Sequence, residues 1–223
     1  MFVITIDGKA GSGKSTIAQG LAERFSIKKL NTGAIYRGIT CEYLKQYEDK
    51  KPTEKVINRF LKTLKIDVKF INDVQNVVVN GTNFTPILRE ERVSNATPLV
   101  SGFNNLREKV REIQRKFADE NNCIVEGRDI GRVVLPNAQC KFFFTASVEA
   151  RAQRRYNQMK GENVSLEMIK EDIEKRDEMD TEREHGAMLP ASDAIIIDNS
   201  NYTIKQTLDV CQKIIEEKRK KLK

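Results

Sequence analysis

The sequence predicts an α/β fold, a mostly parallel sheet covered on both faces by helices. Three observations lead there. Short apolar, often β-branched runs recur at residues 2–7, 123–126, 140–145 and 194–198, the signature of buried strands. Stretches with helical periodicity separate them, and strands that alternate with helices pack as a parallel sheet. A glycine-rich turn joins the first strand to the first helix.

Each element has its own local reason. Residues 2–7 form a strand that ends in glycines. Residues 15–25 follow as a helix, with Ile17, Ala18, Leu21, Ala22 and Phe25 on one face. Residues 33–44 read as a second helix and 53–64 as a third. In the third, Val56, Ile57, Phe60, Leu61 and Leu64 are in register, and Thr53 suits the N-cap. The character then changes. Ile66-Asp67-Val68-Lys69-Phe70-Ile71 alternates with period two, Val77-Val78-Val79 follows, and Asn80-Gly81 is a hairpin-turn signal. This β-rich patch reads as an insertion into the alternating chain. A long polar helix over 104–119 comes next, then the strands at 123–126 and 140–145. Two charged helices span 148–160 and 165–177. A last strand at 194–198 precedes a C-terminal helix over 203–222, with Ile204, Leu208, Val210, Cys211, Ile214 and Ile215 as its apolar face. Its Lys-rich end suits the helix dipole.

Composition narrows the function classes. The 223 residues carry 39 Lys+Arg against 32 Asp+Glu, a net charge of +7, and 39% are hydrophobic. That excludes a collagen-like chain and argues against global disorder. No apolar run approaches the roughly 18 residues that span a bilayer. The N-terminus has no basic, apolar signal pattern, so a cytoplasmic protein is expected. A basic chain suits nucleic acid, an anionic membrane or phosphorylated small ligands. With no Trp and 7% aromatics, no basic stripe interleaved with aromatics is visible, which counts against nucleic acid; with many of the arginines gathered in the motifs below, neither nucleic acid nor membrane is expected as a partner. Cys41, Cys123, Cys140 and Cys211 are far apart, no C-x-x-C occurs, and His185 is the single histidine. Free thiols in a reducing compartment are the plain reading.

The strongest chemical signal is Gly8-Lys9-Ala10-Gly11-Ser12-Gly13-Lys14-Ser15. It fits G-x-x-x-x-G-K-[ST] and stands between a strand and a helix, as a P-loop requires. Glycines let the backbone turn and expose N–H groups to phosphate oxygens, and the helix that follows from Ser15 and Thr16 adds its positive end. Lys14 is a point charge for the β- and γ-phosphates, and the Ser15 hydroxyl suits a Mg²⁺ ligand.

Four further clusters bear on a second substrate. Thr32-Gly33-Ala34-Ile35-Tyr36-Arg37 follows the second strand, where α/β sheets bind ligands. Arg37 also reads as a solvated helix arginine. Glu126-Gly127-Arg128-Asp129-Ile130-Gly131-Arg132 closes another strand with a charged pair between glycines. Arg176, Asp180 and Arg183 are spaced i, i+4, i+7; they share a helix face as site residues or as a salt-bridged solvent face. Arg151, Arg154 and Arg155 open the helix before Met159-Lys160-Gly161-Glu162-Asn163, and arginines on a flap suit phosphoryl transfer. A kinase for another small acceptor, or a regulator that uses ATP as a switch, remains open on these residues alone.

The P-loop with Thr32-Gly33-Ala34-Ile35-Tyr36-Arg37, Gly127-Arg128-Asp129-Ile130-Gly131 and Arg176-Asp177-x-x-Asp180-x-x-Arg183, in this order, closely resembles the bacterial cytidylate kinases over nearly the whole chain. The resemblance implies a three-layer P-loop fold with a five-stranded parallel sheet, a nucleoside-monophosphate-binding insertion with a small β-sheet, and a short lid. It implies a core of 1–37, 104–150 and 184–223, an insertion at 38–103, and a lid with its following helix at 151–183. The implied reaction is phosphorylation of CMP or dCMP by ATP with Mg²⁺, by a monomer. Arg37, Arg128 and Arg183 would grip the acceptor phosphate beside Thr32. Arg107 and Asp129 would read cytosine, Arg176 and Asp180 would hold the ribose, and Arg151 and Arg155, or Arg154, would close over ATP. Two positions depart from the family pattern. Asn31 stands where Asp is usual, and Pro98 takes the place of a base-contacting Ser, with Thr97 as a neighbouring substitute.

Overall fold

A computed structural model describes residues 1–48, 50–159 and 164–221. The chain divides into two compact units, Met1–Lys29 with Ala118–Lys223, and Leu30–Phe117.

A five-stranded sheet carries the first unit. Its strands are β1 (Val3–Gly8), β2 (Lys28–Asn31), β6 (Cys123–Glu126), β7 (Cys140–Thr145) and β8 (Ile195–Asp198), in the order β2-β6-β1-β7-β8, with β2 running across the boundary between Lys29 and Leu30. β1 pairs in parallel with both β6 and β7, and β7 with β8. Being central, β1 is buried along its whole length, its polar Thr5 and Asp7 included alongside the apolar Ile4 and Ile6. Helix α1 (Lys14–Phe25) lays Ile17, Ala18, Leu21 and Ala22 on the sheet. Helix α8 (Ile204–Lys221) buries Thr207, Cys211 and Ile215. Its predicted apolar face is narrower than expected, since Ile204 is 58% and Val210 38% exposed. Helices α6 (Val148–Gln158) and α7 (Leu166–Thr181) pack on each other through Ala152, Ile169 and Ile173. The expected helix over 148–160 and the flap after it run into residues 160–163, which lie outside the described residues.

The second unit starts with α2 (Thr32–Tyr47) and α3 (Glu54–Thr63), the latter capped by the Thr53 hydroxyl, as the sequence indicates. A three-stranded antiparallel sheet follows, β3 (Ile66–Ile71), β4 (Val74–Val79) and β5 (Thr82–Asn83). Two turns shape it. Asn72 and Asp73, both at positive φ, join β3 to β4, and Asn80-Gly81 joins β4 to β5. Helix α4 (Glu91–Val100) has no counterpart in the sequence reading and holds Pro98 inside it. Helix α5 (Asn104–Glu120) runs across the boundary between the units. The core of this unit includes Ile35, Ile39, Ile57, Phe60, Val77 and Val79, with Tyr43, Tyr47 and Phe60 in mutual ring contact. Gly38 lets α2 lie on β4; a Cβ there would sit 2.4 Å from Val77 Cγ1.

All four cysteines are buried free thiols. Burial pushes Cys41 up to about 11, and Cys123, Cys140 and Cys211 up to about 12.

Candidate functional site

In the first unit the candidate site forms where β1 gives way to α1. Gly8, Gly11 and Gly13 all have positive φ, and a Cβ on Gly8 would fall 2.0 Å from the Phe144 carbonyl oxygen. Only glycine fits that approach. The loop is anchored from several sides. The Lys9 N–H donates to the Phe144 carbonyl at 3.1 Å. The Ala10 N–H donates to Asp177 Oδ1 at 2.9 Å, and the Ala10 carbonyl accepts from Arg151 Nη1 at 2.9 Å. The Ser12 carbonyl accepts from Asn199 Nδ2 at 2.9 Å, and the Ser12 hydroxyl donates to the Lys9 carbonyl at 2.9 Å. Gly11, Ser15 and Thr16 remain exposed at the start of α1.

Lys14 is 5% exposed and donates to the Lys9 carbonyl. Burial, and next the Arg128 charge, hold its ammonium well below the usual lysine range. The Ser15 hydroxyl donates to Glu126 Oε1 at the end of β6. Asp180, from α7, accepts from Arg128 Nε at 2.7 Å and from Arg183 Nη2 at 2.7 Å. Burial alone would raise the Asp180 carboxyl, but Arg128 and Arg183 outweigh it and hold it below the ordinary range. Burial would likewise lower Arg128, and Asp180 reverses this. Arg176 is lowered by burial and then by Arg128, with a further push from Arg155. The sequence-predicted Lys14, Arg128, Arg155, Arg176, Asp180 and Arg183 thus feel one another electrostatically, in an array with more cations than carboxylates.

Arg151 departs from expectation. The resemblance implies that it closes over ATP with Arg155, or Arg154, yet it is 1% exposed. Its guanidinium is consumed by Asp177 Oδ2 at 2.6 Å and by the carbonyls of Ala10 and Ala146. Arg155 is exposed, while Arg154 is tied to Asn199 Oδ1 and to its carbonyl.

Asp129 is 4% exposed and opens a short π-helical turn over Ile130–Val134. The residue holding that turn is Asp7, whose Oδ1 and Oδ2 accept the N–H groups of Ile130 at 2.9 Å and Gly131 at 2.7 Å. Burial pushes the Asp7 carboxyl up to about 7, against those two N–H groups. Sequence reasoning assigned no role to Asp7, Glu126, Asp177 or Asn199. The one signal was position: each polar residue stands at a strand's C-terminal end or inside a charged motif already singled out.

In the second unit, Asn31 caps α2 by accepting the Ala34 N–H at 3.1 Å. Its own N–H and carbonyl are both held by the Gln75 amide, at 2.7 and 3.1 Å. The Asn at this position therefore serves as a helix cap, a task its side-chain oxygen shares with Asp. Thr32 is buried, and Arg37 lies beside Gly33, where a Cβ would meet Arg37 Nη1 at 3.2 Å. Arg107 is 2% exposed, sits 5.5 Å above the Tyr36 ring and donates to the Ser101 carbonyl at 3.3 Å. The Thr97 hydroxyl, the expected substitute beside Pro98, donates to the Val93 carbonyl at 2.7 Å within α4.

Comparison with known proteins adds a second line of observation. A family model described as cytidylate kinase matches residues 4–220. The cytidylate kinase of Bacillus subtilis is 39% identical over 217 residues, 96% of each chain. That of Thermotoga neapolitana is 40% identical over 223 residues, 98% of this chain and 99% of its own. A crystal structure of an uncharacterized protein from Eubacterium ventriosum aligns with a TM-score of 0.54 at 14% identity, over 97% of this chain and 98% of its own. That likeness concerns the fold alone.

Proposed function

Because this chain belongs to the cytidylate kinase family, we propose that it transfers the γ-phosphoryl group of ATP to CMP and dCMP, giving ADP and CDP or dCDP. The observation that carries the phosphotransfer part is the Lys14 site. A buried ammonium at a helix start, pressed by Arg128 and Arg176, is relieved by an incoming polyphosphate. Gly8 to Thr16 take the ATP phosphates. Arg128, Arg183 and Arg37 take the acceptor phosphate, Arg107 and Asp129 the base, and Thr32, Arg176 and Asp180 the rest of the acceptor. These roles rest on the family resemblance and on residue chemistry. In the same reading, 1–37, 104–150 and 184–223 serve as the core, 38–103 as the monophosphate-binding insertion and 151–183 as the lid with its helix.

The acceptor phosphate oxygen is already an anionic nucleophile, so no strong base is needed. Catalysis is positioning of the two phosphates in line, with charge neutralised by Lys14, Arg128, Arg155 and Arg183. For Mg²⁺ the residues fit. The Ser15 hydroxyl and the Glu126 carboxylate stand in contact, both hard oxygen donors of the kind Mg²⁺ takes alongside phosphates and waters. When bound, it neutralises phosphate charge. No helix among the described residues is long and apolar enough to cross a membrane. The reading assigns a cytoplasmic monomer whose partners are small nucleotides, not nucleic acid or lipid.

A coupled assay of ADP release with CMP, dCMP, UMP and AMP tests this. CMP and dCMP are expected to be the best acceptors. Faster phosphorylation of AMP would refute the base assignment and favour a kinase for another small acceptor.

A further inference from the structure

We infer that Asp177 and Arg151 are positioning residues that aim P-loop N–H groups at the triphosphate, so that Arg151 acts through the loop rather than by touching ATP. The inference rests on the ATP-dependent reading above and deepens it.

A loop with three glycines at positive φ has little intrinsic preference for one shape. Something outside it must select the conformation that points N–H groups at an anion. The hydrogen bonds show what does so. A peptide unit is planar and trans, so its C=O and the next residue's N–H point in opposite directions. Arg151 Nη1 holds the Ala10 carbonyl at 2.9 Å, which turns the Gly11 N–H away from Arg151. Asn199 Nδ2 holds the Ser12 carbonyl at 2.9 Å, which turns the Gly13 N–H the opposite way. The Ala10 N–H is itself fixed on Asp177 Oδ1 at 2.9 Å. One ion pair, 2.6 Å between Arg151 Nη1 and Asp177 Oδ2, therefore grips both polar groups of Ala10.

The grip is rigid because its parts are immobile. Arg151 is 1% exposed and anchored a second time, through Nε, on the Ala146 carbonyl at 3.0 Å. Its Cβ lies 3.2 Å from where a Cβ on Gly11 would be, so the loop rests on the arginine stem as well. Asp177 stands on α7 between Arg176 and Asp180. The helix bearing residues proposed for the acceptor is thereby bonded directly to the loop proposed for ATP. Flipping either peptide around Ala10 would leave a buried charged group one hydrogen bond short, which is costly.

The test uses the full-length protein with Asp177→Asn, Arg151→Lys and Arg151→Met, and the double variant Asp177→Asn/Arg151→Met. ATP binding is read by equilibrium titration without any acceptor, so a failure of the CMP assignment leaves this readout intact. Each single variant is expected to weaken ATP binding about tenfold, and to raise the KM for ATP without moving the KM for CMP. The double variant should be no weaker than the worse single, because the pair acts as a unit. Arg151→Lys should fail to restore binding, since an ammonium cannot serve the fork of acceptors. Wild-type ATP affinity in folded Asp177→Asn would overturn the inference. So would a loss confined to kcat in the Arg151 variants, the mark of direct contact with the transferring group. Should Asp177→Asn not fold, Arg151→Lys decides the matter by the same criteria.

Discussion

Asp180 offers the most direct perturbation of the site. Its two oxygens accept Arg128 and Arg183 at 2.7 Å each, and it is 6% exposed. Removing one member of a buried ion pair costs about 3–5 kcal/mol. Asp180→Asn keeps one acceptor oxygen, so about 2–3 kcal/mol is the expected loss, corresponding to one charge-assisted bond. The released cations would also repel one another, since Arg128, Arg176 and Lys14 all act on the same region. Urea denaturation measures the loss. A coupled assay should show the KM for CMP rising about tenfold, equivalent to about 1.4 kcal/mol, while the KM for ATP stays within about twofold. The pH dependence is distinctive. The folded Asp180 carboxyl is held below its ordinary value of 3.8. Its stabilising contribution is therefore complete above that value and lost only as pH falls through the folded one. The stability gap between wild type and variant should stay flat from about pH 6 to about pH 8. A gap below about 0.5 kcal/mol, or one that opens and closes in that window, would refute the reasoning.

Three further outcomes are expected. Lys14→Ala should remove most of the turnover, and a near-normal kcat would exclude its charge from the reaction. Asp7, with its carboxyl pushed up from 3.8 to about 7, holds a proton in the folded state that the unfolded chain releases. Its effect on stability therefore declines as pH rises from about 4 to about 7, by on the order of 4 kcal/mol. Asp7→Asn should flatten that slope in urea midpoints measured across the window, and an unchanged slope would assign it elsewhere. Gly38→Ala should destabilise by about 1–3 kcal/mol because the new Cβ meets Val77 at 2.4 Å, and Val77→Ala in the same chain should restore most of the loss in a thermal melt.

Much of this architecture is legible in the chain because it follows from local rules. β1 is readable from its short β-branched run before the glycines, the P-loop from its spacing, and α3 from Thr53 and a strong stripe ending in Phe60 and Leu64. Helix α4 is not readable. Within Glu91–Val100, Val93, Ser94, Asn95, Thr97, Pro98 and Val100 are poor helix formers, and burial of Val93, Thr97 and Val100 offsets this. The turn at Asn72-Asp73 gives a quieter signal than Asn80-Gly81, although Asn and Asp also tolerate positive φ. The site divides the same way. Motif spacing singles out Lys14, Arg128 and Asp180, whose charges act on one another in the fold. It does not show the burial of Arg151, because the partners that bury it, Ala10, Ala146 and Asp177, come from three distant stretches of sequence.

The four buried thiols supply built-in reporters of opening. A thiol pushed to about 11 or 12 and closed off from solvent reacts with a disulfide reagent only after the chain around it opens. Cys41 lies in the unit Leu30–Phe117, and Cys123, Cys140 and Cys211 lie in the other. Labelling kinetics followed cysteine by cysteine would time the two units separately, with no engineered probe. A nucleotide that steadies one of them would slow its own clock and leave the other running.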